Sequence, residues 1–321
     1  MWNGTQALVL GATGGFGRAM AKELVDRGAS VRALTRDPAR ASALLGASVE
    51  VAAGDATDAA AVARAAAGCA IVVHAVNLPF HLWDPGMREA TARVVAACRD
   101  AGARLVFPGN VYGFGPETTR AVIEAAPQEA TTRKGRLRAE LEFMIARATD
   151  DRRMRALIVR SGDFYGPTVR NGQVDRIFGN AVAGRTMRAL GRLDMPHQWA
   201  YVPDLARLTA DLLEREATLE PFEVVHFAGH VVTRLADFLR EVAVAAGRAD
   251  VAMRALPWWW IRLGALFDPT ARELLELRYL FDEAVILDDQ RRRQLLPDFQ
   301  PTPLATAVAA TVASYRAALT P

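Results

Sequence analysis

Gln6-Ala7-Leu8-Val9-Leu10-Gly11-Ala12-Thr13-Gly14-Gly15-Phe16-Gly17 packs a strand, a tight turn and a helix start into one stretch. Gln6–Leu10 is a short apolar run closed by glycine, the pattern of a strand buried on both faces. From Gly15 to Arg27 the period becomes helical, with Phe16, Ala19, Met20 and Leu24 on one side and Gly28 as the stop. Between the two, Gly11, Gly14 and Gly17 follow the spacing GxxGxxG. Gly11 permits the sharp turn, Gly14 leaves room for a pyrophosphate, and Gly17 lets the helix lie close to the sheet. The helix start then offers free N–H groups and a partial positive charge to the phosphates. A glycine pattern alone is weak evidence. Its position between a strand and a helix makes it a dinucleotide-binding turn, with Gly11, Thr13, Gly14, Gly15, Phe16 and Gly17 as the expected contacts.

Downstream the alternation continues. Ser30–Leu34, Val49–Ala53, Ala70–Ala75, Arg104–Phe107 and Arg155–Val159 read as strands. Ala39–Leu45, Asp58–Ala67, Met87–Ala101 and Arg133–Arg147 read as the helices between them. Such alternation predicts an α/β fold, a doubly wound parallel sheet covered by helices on both faces. After about Gly166 it weakens: Arg176–Ala183, Pro203–Glu214 and Leu235–Gly247 read as helices and Val224–Ala228 as one more strand. The expected organisation is a dinucleotide-binding domain over 1–166, with a strand near 222–229 added back to its sheet. A smaller helix-rich substrate or lid domain is expected over 167–321.

The end of the second strand sets cofactor choice. An NAD site usually carries an acid there for the ribose 2′-hydroxyl. This chain has Thr35-Arg36-Asp37 instead, and an arginine can fork onto a 2′-phosphate. NADP(H) is therefore expected over NAD(H), read by Arg36 with Arg32 as a helper. Asp55, in Gly54-Asp55-Ala56 after the third strand, suits an adenine-edge contact or a turn-stabilising Asx residue equally well.

Composition limits the rest. With 51% hydrophobic and 23% charged residues the chain is not disordered. Its net charge of +3 is spread among acids, and only Arg291-Arg292-Arg293 forms a run, so nucleic acid is not an expected partner. No uninterrupted apolar stretch is long enough to span a bilayer, and the start lacks the features of a signal peptide. The expectation is a cytoplasmic protein with no membrane partner, monomeric or homodimeric. Cys69 and Cys98 show no CxxC spacing and are expected as buried thiols, and no metal site is expected.

Beyond the glycines, several segments point one way: Gly54-Asp55, Val72-Val73-His74-Ala75, Val111-Tyr112-Gly113, Arg160-Ser161-Gly162-Asp163-Phe164-Tyr165-Gly166-Pro167 and Trp199-Ala200-Tyr201-Val202-Pro203-Asp204-Leu205-Ala206. Together they resemble the extended or atypical branch of the short-chain dehydrogenase/reductase superfamily, the NAD-dependent epimerase/dehydratase-like proteins. The resemblance is good over residues 5 to about 230 and loose beyond. It implies contacts to the cofactor from Ala56, Ala75 and Pro108. It also implies a catalytic Ser or Thr after the fifth strand and a Tyr-x-x-x-Lys on the next helix, where the lysine lowers the phenol's pKa. That set is absent. The tyrosines stand at 112, 165, 201, 279 and 315 and the lysines at 22 and 134, and no pair has the spacing. In the register fixed by Glu140, Thr132 takes the tyrosine position and Arg136 the lysine position; Pro108 takes the serine position. Thr132 cannot replace a phenol, whereas Arg136 can hold ribose hydroxyls or a substrate anion.

Ligands sit at the carboxyl edge of such sheets, which makes His81, Asp84, Tyr112, Lys134, Arg136, Asp163, Tyr165, His197 and Tyr201 the candidate pocket groups. Tyr112, Arg136 and Tyr165 are the candidate catalytic residues; His81, Asp163, His197 and Tyr201 are the candidate substrate contacts. His74 and His226 read as core histidines. Pro257-Trp258-Trp259-Trp260-Ile261 reads as lid packing or an apolar pocket wall before a membrane anchor, so the small-molecule substrate is expected to have an apolar part. The leading expectation is an NADP(H)-dependent oxidoreductase or epimerase/dehydratase-like enzyme with a non-standard catalytic group. The rivals are a non-catalytic NADP(H) sensor and a non-redox isomerase or lyase on the same fold.

Overall fold

The computed structural model describes residues 2–115 and 121–319. Its centre is a parallel seven-stranded sheet: β1 (Gln6–Leu10), β2 (Ser30–Thr35), β3 (Val49–Ala53), β4 (Ile71–His74), β5 (Arg104–Gly109), β6 (Arg155–Ser161) and β7 (Phe222–Phe227). Across the sheet the order is β7-β6-β5-β4-β1-β2-β3, so the winding reverses between β1 and β4, where Leu10 lies opposite His74. The expected late strand joins the sheet as its edge, with Phe222 beside Ala156.

The helices follow from local chemistry. α1 (Gly15–Asp26) starts off the glycine turn. α2 (Pro38–Leu45) carries proline in its first turn and is capped by Asp37, whose side chain accepts from the Arg40 amide. α3 (Ala59–Ala66) is capped by Asp58. α4 (Trp83–Ala101) begins earlier than its Met87 pattern suggests and stops at left-handed Gly102. α5 (Arg133–Ala148) is capped by Thr132, whose hydroxyl accepts from the Gly135 amide at 3.1 Å.

Side chains of β1 alternate between two cores. Ala7 and Val9 join Met20 and Leu24 of α1 and the Val202–Glu214 helix; Leu8 and Leu10 join Val94 of α4 and Leu141 of α5. All four are fully buried, and each leucine or valine so placed contributes about 1.5–3 kcal/mol. Both cysteines are buried free thiols, and burial pushes both thiols up.

A second layer covers the carboxyl ends of β5 and β6. Asp163–Tyr165, His197–Tyr201 and His230–Val232 form a small sheet in which Trp199 lies beside Asp163 and His230. Residues 258–282 form a lid of short helical turns. The stretch expected as a helix over Arg176–Ala183 is a helical segment over 172–182 with a π turn at Asp175–Gly179. Among the described residues no helix is long and apolar enough to cross a membrane.

Candidate functional site

The glycine turn is built as its spacing predicts. Gly11 has φ +77°, and a β-carbon there would stand 2.4 Å from the carbonyl oxygen of Ala75, the residue after β4. A β-carbon on Gly17 would stand 2.3 Å from the Gly11 carbonyl oxygen. Neither position tolerates a side chain, so the N-terminus of α1 sits directly over the β1–β4 crevice. Gly14, Gly15 and Phe16 line the cleft that begins there, and Ala75 lies on its opposite wall.

At the far end of the sheet the β2–β3 register sets Thr35 beside Ala53, which brings the following residues Arg36 and Asp55 together. Arg36 Nε lies 3.8 Å from Asp55 Oδ2, and the Arg36 side chain is 77% exposed. Asp55 Oδ1 accepts from the Thr57 amide and hydroxyl, both at 2.8 Å, and these bonds hold its carboxyl below the usual range. Asp55 therefore forms the turn and leaves its second oxygen toward Arg36. Arg32 is not free to help: it donates to Glu50 and to the Ala65 carbonyl.

From the turn, the cleft runs unbroken past the ends of β4, β5 and β6 and encloses about 860 Å³. Its middle is walled by Trp83, Phe107, Pro108, Asn110, Tyr112 and Arg138. Ser161, Gly162 and Asp163 stand opposite at the end of β6. Tyr112 is held by Asn110, whose side chain accepts from the Tyr112 amide at 3.0 Å. Burial pushes the Tyr112 phenol well above its ordinary value, Asp163 adds to the rise, and Arg138 opposes it.

Arg138, not Arg136, brings the cation of α5 to the cleft. Gly135 allows the helix to press on the turn after β5, since a β-carbon there would meet the Tyr112 carbonyl oxygen at 2.3 Å. With that face fixed inward, Lys134 and Arg138 share it, one turn apart. Arg136 lies two residues off, about 200° round the helix; it is exposed and donates to the Thr131 carbonyl. The expected place of Arg136 at the cleft is thus corrected: Arg138 lines it and Arg136 does not. Arg138 donates to the Pro108 carbonyl oxygen at 2.6 Å and lies over the Phe107 ring at 4.5 Å. Its Nε has no partner among the described residues. The nearest carboxylate on its helix, Glu142, is committed to Arg160 at 2.7 Å and to Gln128 at 2.6 Å. Burial lowers the Arg138 guanidinium from its ordinary value. Lys134, also buried, is a lid fastening: its Nζ bonds Glu273 and lies 3.3 Å from Glu276, under the Phe80 and Trp83 rings.

Two tyrosines expected at the site are not in it. Tyr165 is fully buried among Phe178, Trp199, Tyr201 and Phe238, and its hydroxyl bonds His230 Nδ1 at 2.9 Å. Burial pushes its phenol far up. Tyr201 packs against it, buried, and does not line the cleft. His81 and Asp84 are exposed near the start of α4, also off the cleft wall. Asp163 and His197 are brought together: His197 Nε2 lies 3.0 Å from Asp163 Oδ2, with Gln173 on the same oxygen at 3.1 Å. Asp163 faces the main cleft while His197 lines a small recess behind it.

His74 and His226 are core residues. Burial lowers His74 to about 3 and His226 to about 4. His74 Nε2 pairs with Thr91 at 3.0 Å and its Nδ1 is unpartnered.

The residues that sequence reasoning missed are Arg138, Ser161, Trp199 and Arg176. Ser161 and Trp199 are fully buried, line the cleft, and each leaves a polar atom, Oγ or Nε1, without a partner. Arg176 lines the far end with its Nε unpartnered. Ser161 had a signal, since it stands at the carboxyl end of a strand, two residues beyond its last apolar residue; Arg138 had the i, i+4 pairing with Lys134. Among the described residues no cluster of three or more His, Cys, Asp or Glu could hold a metal ion. The cradle at Gly11 and Gly17, the free helix N-terminus and these orphaned polar atoms fit a dinucleotide.

Comparison with known proteins agrees with this geometry. The NAD dependent epimerase/dehydratase family matches residues 7–228. No curated protein matches the sequence. Among solved structures, UDP-N-acetylglucosamine 4-epimerase from Methanobrevibacter ruminantium M1, in complex with UDP-N-acetylmuramic acid, superposes with a TM-score of 0.79 at 13% identity, over 99% of this chain and 100% of that one. MoeE5 in complex with UDP-glucose and NAD gives 0.76 at 19% identity, over 98% and 100%. The gox2253 structure gives 0.77 at 20% identity, over 99% of each chain. At these identities the likeness speaks for the fold.

Proposed function

This chain belongs to the NAD-dependent epimerase/dehydratase family, a family of nicotinamide-dependent enzymes, and from that premise we propose that it is an NADP(H)-dependent oxidoreductase or epimerase-type enzyme with Tyr112 and Arg138 in place of the missing Tyr-x-x-x-Lys. The observation that carries this reading is the continuity of one cleft from Gly14 and Gly15 to Tyr112, Arg138 and Asp163. Whatever binds at the turn reaches those groups without a barrier.

A bound nicotinamide supplies or accepts a hydride; the chain supplies everything else. Amides at the start of α1 hold the pyrophosphate, and Arg36 forks onto a 2′-phosphate. Trp83, Phe107 and Trp199 exclude water. Tyr112, protonated throughout the physiological range because burial raises it, donates a hydrogen bond to a substrate oxygen. Arg138, with no carboxylate of its own, balances negative charge developing on that oxygen. Asp163, steadied by His197 and Gln173, accepts from a substrate hydroxyl. Arg170 and Arg176 at the far end suit a substrate with an anionic group, as the nucleotide sugars named for the structural neighbours carry.

The test is a fluorescence titration with NADPH and with NADH, followed by a panel of carbonyl compounds and nucleotide sugars. Turnover with net NADPH consumption supports the oxidoreductase form; isomerisation with no net change supports the epimerase form. Binding with no turnover in either assay on any panel member would overturn the assignment of Tyr112 and Arg138.

A further inference from the structure

The tryptophan run supplies the expected apolar wall through Trp260 and Ile261, which line the cleft, but most of its surface is left uncovered. Trp258 is partly buried and donates to Asp282 at 3.1 Å, but Trp259 and Trp260 are exposed and stack on each other at 4.8 Å. Leu263, Leu266 and Phe267 continue the same exposed face, Phe267 at 89%, while Ile261 and Ala265 anchor it from beneath. Scattered exposed apolar residues need no explanation, but a contiguous set of five large ones marks a contact.

The surroundings are cationic. Arg262 is exposed on this face and has no side-chain partner among the described residues. The strand Met253–Ala255 runs through Leu256 and Pro257 directly into the helix Trp258–Gly264. Its Arg254 is exposed and has no side-chain partner among the described residues, as is true of the register partner Arg188 on the strand Met187–Ala189. Asp268, the nearest acid in sequence, is occupied in capping the Thr270 amide at 2.7 Å.

We propose that residues 259–267 dock on an anionic lipid surface, with Arg262, Arg254 and Arg188 meeting the headgroups. Stacked indoles combine an apolar body with a polar N–H and favour the headgroup boundary, and unpaired arginines complement its charge. Trp260 belongs to both the docking face and the cleft lining. The cleft mouth therefore opens at the lipid surface, and the substrate class this admits is an amphiphile: an anionic or polar group for Arg176 on a chain or ring that partitions into the interface. The docking does not rest on the cofactor reading.

The experiment is co-sedimentation of the full chain with vesicles of phosphatidylcholine alone and of phosphatidylcholine containing phosphatidylglycerol, at low and high salt. The expected result is binding to the anionic vesicles, weakened by salt. Trp259→Ala with Phe267→Ala should lower the partition coefficient about tenfold or more for each aromatic removed. Arg254→Gln with Arg262→Gln should lower it about fivefold per arginine and weaken the preference for anionic lipid. Melting temperature and NADPH affinity, measured on the same variants, should not move. Failure of the parent chain to sediment with either vesicle would overturn the proposal, as would unchanged binding by the aromatic variant. A concentration-dependent dimer that the aromatic variant abolishes would also overturn it, assigning the face to a second copy. NADPH titration of the parent chain reports separately on the cofactor reading.

Discussion

Replacing Arg138 by methionine keeps the aliphatic volume and removes the charge, and the structure sets very different magnitudes for its effects on stability and on function. For stability, the Pro108 carbonyl loses its 2.6 Å donor, which costs about 1–3 kcal/mol in a buried setting. The contact over Phe107, at 4.5 Å, is lost as well, at about 0.5–2 kcal/mol. Against these, the parent chain carries a guanidinium 7% exposed with no ion-pair partner among the described residues, and relieving that desolvation returns several kcal/mol. The contributions cancel to within about 2 kcal/mol, a shift in melting temperature of roughly 5 °C at most for a domain of this size. For function nothing offsets the loss, since the donor is fixed before the reaction begins; removing such a group lowers kcat by about 10²–10³. Calorimetry and steady-state kinetics on the same preparation separate the two. A fall in melting temperature beyond about 10 °C with kcat retained would show Arg138 to be a structural residue, and the reasoning would fail.

Gly17→Ala forces a β-carbon to 2.3 Å from the Gly11 carbonyl oxygen; the helix must retreat, costing about 1–3 kcal/mol of stability and abolishing dinucleotide binding in a fluorescence titration. Tyr112→Phe should cut kcat by about 10²-fold or more while leaving KM for the cofactor unchanged, and equal losses in both would mean that the phenol only packs. His74 and His226, ordinarily near 6.5, titrate at about 3 and about 4 when folded. Between those values and 6.5 the unfolded chain binds more protons than the folded one, so stability is complete above pH 6.5 and is lost as pH falls through that window. His74 alone accounts for up to about 5 kcal/mol below pH 3. Melting temperatures from pH 7 to 4 should fall, less steeply for His74→Gln; identical slopes would contradict the assignment.

The parallel sheet, its alternation with helices and the phosphate turn were legible because each depends on local pattern: apolar runs, helical periods and a glycine spacing. The site was legible only where strand ends placed it. Tyr112 and Asp163 follow strands and reach the cleft as expected. Motif register chose Arg136, but helix phase chose Arg138, and the phase was set by Gly135 pressing on the Tyr112 carbonyl, a long-range packing fact. Tyr165 also ends a strand, yet the Leu235–Ala245 helix brings Phe238 over it and His230 takes its hydroxyl. Those partners lie some seventy residues downstream, and nothing near Tyr165 announces them. The tryptophan run was read as lid packing or an apolar pocket wall; Trp260 and Ile261 do line the cleft, while Trp259 is left exposed because the short helix has few neighbours on that side.

We propose that the cleft begins at an NADP(H) site read by Arg36. The measurement that tests it most directly is the ratio of Kd for NADPH and NADH, in the parent chain and in Arg36→Ala. Arg36 is mostly exposed, with one distant carboxylate, so its bonds to a 2′-phosphate are partly screened. The account predicts tighter binding of NADPH than NADH, and a loss of about 5–30-fold for NADPH alone in the variant. An unchanged ratio in Arg36→Ala, or a parent chain that prefers NADH, would contradict it.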